Sequence, residues 1–355
     1  MNKNFQKRLN ELEKLSGYQK PAKVDDVLKL DSNENLVIKR EFQTELIKEA
    51  QKQCDVRTYP LGGVENLINT LAKYLKTPKN MISVGNGSDQ ILDMILANFC
   101  SKSTKILTCD PTFGFFEERC KLYSIPRVKI PFSKAMDLKI EDFVKKAKSV
   151  DMIYLDSPNN PSGFQFSNKQ LEKLIKSFSG PIIIDEAYGE FSNSSVLNLV
   201  KKYPHVILVK TLSKAFGLAG LRIGYMVTDK KFTEVFSNVI QYPYPLNSLA
   251  IECGILAIEK SKQIESIFET IKKQRTRIIQ NLKKYDAFDV FHSNANFVLF
   301  DAKGADARVY NALIEQGISI RKLGKLGAHK GCLRVTIGTS EMNSKFLLAV
   351  RDLLE

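Results

Sequence analysis

The sequence predicts an α/β fold, with a mostly parallel central sheet sandwiched by helices and a smaller C-terminal α/β domain. Three observations predict it. Short apolar runs rich in β-branched residues, at 81–84, 105–109, 152–155, 181–184 and 206–209, alternate with amphipathic stretches. That is the pattern of βα units in a parallel sheet covered on both faces. Each run ends in a turn of polar or aromatic residues, which is where an open sheet of this kind places its ligands. Near Gln241-Tyr242-Pro243-Tyr244-Pro245 the pattern changes, and a new α/β portion follows.

The elements follow in order. Residues 1–30 read as an N-terminal arm, in which Phe5, Leu9, Leu12 and Leu15 share one face of a short charged helix that docks on another surface. Residues 16–21 break that helix, and 28–35 form a strand or extended loop. A helix at 41–54 is stopped by 57–63, and a second, 64–75, leads to Thr77-Pro78. Gly85-Asn86-Gly87-Ser88-Asp89 then opens a strongly apolar helix at 90–99. Free backbone N–H groups at such a turn form either an anion site or an ordinary N-cap. The large domain is read as 31–245. The smaller one, 246–355, begins with a helical region at 246–285 and has strands at 297–300, 318–321 and 332–337.

A formal charge of +14, from 53 Lys plus Arg, raises nucleic acid as a partner. The lysines are dispersed in pairs and accompany no nucleic-acid-binding motif, so the charge reads as a solvated basic surface. Six cysteines without C-x-x-C spacing read as reduced, mostly buried thiols. Three scattered histidines make a histidine-rich metal site an unlikely reading and none is assigned. No run is long enough to span a bilayer, and the first residues lack the apolar centre of a signal peptide, so the expected location is cytoplasmic.

The chemistry concentrates at the strand ends. Lys214 sits just past the 206–209 run in Thr211-Leu212-Ser213-Lys214, and Arg222 stands eight residues on. A lysine with a nearby hydroxyl and arginine is what a Schiff-base cofactor bearing a phosphate needs. Asp185 closes another apolar strand; beside a pyridine ring it would keep the ring nitrogen protonated. Asn160 and Tyr188 can donate to the ring oxygen, Phe113 offers a flat face, and Ser213, Arg222 and the Gly87-Ser88-Asp89 amides can share a phosphate. Taken singly, these are a surface lysine, a helix cap, a turn asparagine and a core phenylalanine.

Together, and in order, GNGSD, PTF, NNPSG, DEAY, TLSK, LAGLRIGY and CLRVTIGTS resemble the fold-type I pyridoxal-phosphate aminotransferases, most closely the histidinol-phosphate aminotransferases. The likeness runs from Tyr18 to Thr339. It implies that Lys214 is the Schiff-base lysine and moves the proton, that Asp185 pairs with the ring nitrogen, and that Asn160 and Tyr188 meet the ring oxygen. It further implies that Phe113 stacks, that Ser88, Asp89, Ser213 and Arg222 line the phosphate site, and that Tyr59 reaches the neighbouring subunit's cofactor in a homodimer with shared active sites. Tyr18, Arg321 and Arg334 are implied to hold the substrate's phosphate, and the same pocket to take 2-oxoglutarate or glutamate. The expected activity is amino transfer from L-histidinol phosphate; a threonine-phosphate decarboxylase and an aromatic amino acid aminotransferase are the alternatives. The chain departs from the family pattern at Asn35-Leu36-Val37-Ile38, at Arg321-Lys322-Leu323-Gly324 and after Tyr18.

Overall fold

The computed structural model describes residues 2–15, 17–18 and 26–355; most of the expected break at 16–21 lies outside them. Among the described residues twelve strands form two sheets. In chain order they are β1 (Leu28–Leu30), β2 (Ile82–Asn86), β3 (Ile106–Asp110), β4 (Arg127–Pro131), β5 (Met152–Asp156), β6 (Ile182–Asp185), β7 (Val206–Thr211), β8 (Ile223–Val227), β9 (Asp289–Val290), β10 (Phe297–Asp301), β11 (Ile318–Leu326) and β12 (His329–Thr336). The large sheet runs β2-β8-β7-β6-β5-β3-β4. All its strands point one way except β8, which is antiparallel to both neighbours. The small sheet runs β1-β11-β12-β10-β9, antiparallel apart from the β1–β11 pair.

The central strands are apolar throughout because both their faces are covered. Alternate residues go to opposite layers. Ile183, Ile207 and Val209 join Ile91, Leu92 and Phe116 from the helices Gly87–Phe99 and Gly114–Leu122. Ile182, Ile184 and Leu208 face the second layer, with Phe143, Leu171 and Leu174 from the helices Ile140–Ala147 and Asn168–Ser177. The latter helix starts in a reciprocal capping box, in which Ser167 and Gln170 satisfy each other's backbone N–H groups. All six cysteines are free thiols, four of them buried, as expected.

The two helices that follow the break expected at 245 pack on different neighbours. The helix Ser248–Glu259 packs on the helices Arg40–Ala50 and Gly63–Leu75 of the large unit. A separate helix, Ser261–Leu282, carries the chain to β10 and to the C-terminal helix Ser340–Leu354. Within the arm expected over 1–30, β1 pairs with β11 of the small sheet, and the N-terminal helix precedes it. That helix, Lys3–Glu13, keeps Phe5 and Leu9 exposed, and Arg8 Nη2 donates to the Leu122 carbonyl at 3.1 Å.

Beneath the C-terminal edge of the large sheet, Lys210 lies buried between two acids, with Nζ 3.2 Å from Glu186 and 2.9 Å from Glu190. Against the pull of burial, those carboxylates keep its ammonium charged well above the ordinary range. Glu186 also accepts from Ser195 Oγ and the Val196 N–H, each at 2.6 Å, so the cluster ties β6, β7 and the 186–196 loop together. Lys210→Met leaves two buried carboxylates uncompensated and is expected to cost about 3–5 kcal/mol. Chemical denaturation of the purified variant measures this, and a loss below about 1 kcal/mol would contradict the role given to the cluster.

Candidate active site

A cleft opens where β3, β5, β6 and β7 end. It is lined by Ser88, Asp89, Phe113, Asn160, Asp185, Tyr188, Ser213, Lys214 and Arg222 from the large unit and by Tyr18, Arg321 and Arg334 from elsewhere. Twelve of the thirteen residues singled out in the sequence thus converge on one site. Tyr59 does not: it is 70% exposed and stacks on Tyr244 at 4.4 Å, outside the cleft.

One side of the cleft is a backbone cradle. The helix Gly87–Phe99 starts directly at the end of β2, three residues earlier than the apolar periodicity predicts, with Gly87 at φ +78°. A Cβ on Gly87 would lie 2.4 Å from Arg222 Nη2, and one on Gly224 would lie 2.3 Å from the Gly87 carbonyl carbon and Ser88 nitrogen. Glycine is required at both, because backbone and guanidinium approach too closely for a side chain. Arg222 itself adopts a left-handed φ of +55°. Its Nη2 meets Asp89 at 2.9 Å and its Nη1 meets Ser213 Oγ at 3.4 Å. Ser88 and Ser213 are buried at this helix start, where N–H groups and helix dipole favour an anion. Asp89 is an acid in a site otherwise suited to anions, so its part is to hold Arg222 in place.

The floor is acidic. Asp185 is 3% exposed; it accepts from Ala187 N–H at 2.9 Å and from the Tyr154 hydroxyl at 3.1 Å. Burial and then the negative charge of Asp156 push it up to about 7. Among the described residues no cation pairs with it, so it suits a ligand N–H. Lys214 is half-buried, with Nζ donating to the Ser32 carbonyl at 3.0 Å. Burial and then the nearby Arg334 charge pull its ammonium down to about 8. The amine is therefore partly neutral near physiological pH, as a nucleophile or base must be.

The roof joins the two units. Tyr188 Oη accepts from Asn33 Nδ2 at 3.0 Å, which leaves its own hydrogen to donate into the cleft; burial pushes the phenol up to about 12. Asn160 Oδ1 accepts from Arg334 Nη1 at 2.5 Å, which leaves the Asn160 NH2 group to donate. Arg334 is 8% exposed, lies over the Phe297 ring at 5.1 Å and also donates to the Asp31 carbonyl at 2.9 Å, while its buried Nε has no hydrogen-bond partner. Arg321 faces it in register across β11 and β12. Two guanidinium groups side by side are suited to a dianion or a carboxylate.

Sequence reasoning missed Asn33, which orients Tyr188, Phe115 on the aromatic wall 6.5 Å from Tyr18, and Asp156. The last had a readable signal, since it closes an apolar run just as Asp185 does.

The family model described as "Aminotransferase class I and II" matches residues 25–350. A histidinol-phosphate aminotransferase from Thermoanaerobacter pseudethanolicus is 31% identical over 328 residues, covering 92% of this chain and 93% of the relative. The crystal structure of the histidinol-phosphate aminotransferase from Clostridium acetobutylicum superimposes with a TM-score of 0.84 at 27% identity, over 92% of this chain and 99% of that one. A histidinol-phosphate aminotransferase from Sinorhizobium meliloti, solved in complex with pyridoxal-5'-phosphate, has the same fold, with a TM-score of 0.86 at 20% identity over 97% and 96%.

The lowered Lys214 value has a stability consequence. It lies at about 8 in the folded protein against the ordinary 10.5. The unfolded chain holds more protons across that window, and the stability this residue contributes rises with pH there. In protein freed of bound ligand, Lys214→Met should be more stable than the parent below about pH 8, with the advantage fading toward pH 10.5. Denaturation midpoints measured across that range test it, and a pH-independent difference would contradict the assignment.

Proposed function

The chain belongs to the class I and II aminotransferases, within the histidinol-phosphate aminotransferase family, and we propose that it transfers an amino group between L-histidinol phosphate and 2-oxoglutarate or glutamate, with pyridoxal 5'-phosphate as cofactor. The observation that carries this reading is the pairing of a half-buried, readily deprotonated Lys214 with a buried Asp185 that meets no cation on one side of the cleft and the Arg321–Arg334 pair on the other. The donor set fits the cofactor. The Gly87-Ser88 cradle with Ser213 and Arg222 suits its phosphate, Asp185 its ring nitrogen, Asn160 and Tyr188 its ring oxygen, and Phe113 its face. Bound there, pyridoxal phosphate supplies an electron sink that makes the Cα–H of an attached amine acidic.

The chain's own residues do the rest. Lys214 Nζ takes the proton from carbon and returns it. Asp185 retains a proton at the ring-nitrogen position, and the Tyr188 hydroxyl stabilises negative charge on the ring oxygen. Arg321 and Arg334, with Tyr18, hold the phosphate of one substrate and the side-chain carboxylate of the other. Exposed Val56, Tyr59, Leu61, Tyr242 and Tyr244 support a homodimer in which Tyr59 of one copy completes the phosphate site of the next, and the proposed location is the cytoplasm. Among the described residues no helix is long and apolar enough to cross a membrane.

The test is spectral. The purified, cofactor-loaded protein is mixed with histidinol phosphate, threonine phosphate or phenylalanine, with no keto acid present. Conversion of the lysine-bound cofactor's absorbance to that of its amine form, at far lower concentrations of histidinol phosphate than of phenylalanine, is expected. Carbon dioxide release from threonine phosphate with return of the starting band would establish a decarboxylase instead. Arg321→Ala should lower kcat/KM for histidinol phosphate by about ten- to a hundred-fold, the worth of a lost charge-assisted contact. The loss for glutamate should be smaller, and equal losses would overturn this role for Arg321.

A further inference from the structure

Asp156 is a buried carboxylate to which the proposed reaction assigns nothing. It is the last residue of β5, 6% exposed, and it lines the cleft. In the parallel register of β5 and β6 its Cα partner is Asp185. Partners in register project to the same face of a sheet, so the two carboxylates stand side by side at the strand ends. Asp156 Oδ1 accepts from Thr112 Oγ1 at 2.7 Å and Asn159 Nδ2 at 2.9 Å, and Oδ2 accepts from the Asn160 N–H at 2.8 Å. Thr112 precedes Phe113, and Asn160 carries the amide that Arg334 grips. One side chain thus braces the two turns that wall the cleft.

Three donors with no donor in return demand an acid rather than an amide. Burial pushes Asp156 up to about 6, the three hydrogen bonds restraining it, so above neutral pH it is ionised. Among the described residues no cation pairs with it. Its negative charge therefore falls on the neighbouring Asp185, for which it is the largest influence after burial itself. The other groups facing the pair are Tyr154 on β5, the buried Cys109 thiol on β3, Asp89 on the helix Gly87–Phe99 and Tyr188 beyond β6, with Lys214 and Arg222 also lining the cleft.

We propose that Asp156 is a positioning residue for this site, a reading that rests on the pyridoxal phosphate assignment: it braces the Thr112 and Asn160 turns and, by its charge, retains the proton shared between Asp185 and the ring nitrogen. A second anion beside a bound proton delays its loss as pH rises. Removing that anion lets the proton leave at lower pH.

The holoenzyme is loaded with pyridoxal phosphate labelled with 15N in its ring, and the 15N resonance is followed through an alkaline pH titration. In Asp156→Asn the midpoint of proton loss should fall by about one pH unit or more relative to the parent. Thr112→Val removes one brace and keeps the charge, so its midpoint should match the parent. Asp156→Ser carries the same test if the asparagine variant does not accumulate as folded protein. An unchanged midpoint in the Asp156 variants, or an equal fall in Thr112→Val, overturns the proposal. A parent protein that takes up no pyridoxal phosphate overturns the cofactor reading and this proposal with it, whereas failure to turn over histidinol phosphate touches the substrate alone.

Discussion

Charged groups kept out of water at one sheet edge are the constraint on which this molecule turns. Asp156, Asp185 and Arg334 are each at most 8% exposed, and Lys214 meets surroundings dry enough to lower its proton affinity. An isolated ion in such a place is strongly disfavoured, so each must be hydrogen-bonded or must shift its protonation. Both responses are present. Asp156 collects three donors, Asp185 two and Arg334 two acceptors, and Asp156, Asp185 and Lys214 also shift toward neutrality. The Lys210–Glu186–Glu190 cluster lies just beneath, and there the charges are paired outright. At that cluster the paired ions brace the sheet, whereas among the described residues Asp185 and Lys214 form no ion pair and line the cleft.

Much of this was legible because a parallel sheet announces itself. Runs that are apolar on both faces, each ending in a polar turn, locate the strands and the edge where they end, and the motifs after them name the residues there. What was not legible has tertiary causes. The 223–227 run carries no sign of direction, and β8 is antiparallel only because the chain turns back after the Leu221–Arg222 corner. β4 is a half-exposed edge strand whose Lys129 and Arg127 interrupt its apolar pattern. The Tyr-Pro repeat before residue 246 reads as a linker, yet Gly254 in the next helix packs closely against Leu67, Leu212 and Ile223. A linker's composition does not reveal which side of it the following helix will cover.

The site was read unevenly for a related reason. Lys214, Asp185 and Arg222 lie in motifs long enough to be recognised. Asn33 and Asp156 act on other site residues rather than on a ligand, and their partners are distant in sequence: Asn33 lies 155 positions from Tyr188 and Asp156 lies 44 from Thr112. Such residues leave only a weak local trace, a polar side chain closing an apolar run. Asp156 and Asp185 end their strands that way, as do Asp110 and Asp301, and the register reveals which two acids are neighbours.

The substrate end of the cleft follows a different logic from the cofactor end. The cradle at Gly87, Arg222 and Gly224 belongs wholly to the large unit and is fixed by backbone contacts too close to allow any side chain. The arginine pair belongs to the small sheet and reaches the cleft through Arg334, whose hydrogen bonds go to Asn160 on one side and to the Asp31 carbonyl on the other. The two halves share one apolar core and meet over the cleft through these polar contacts. Of the departures at 35–38 and 321–324, Arg321 lines the cleft, whereas Leu36 packs on the core and Lys322 lies over the Tyr310 ring.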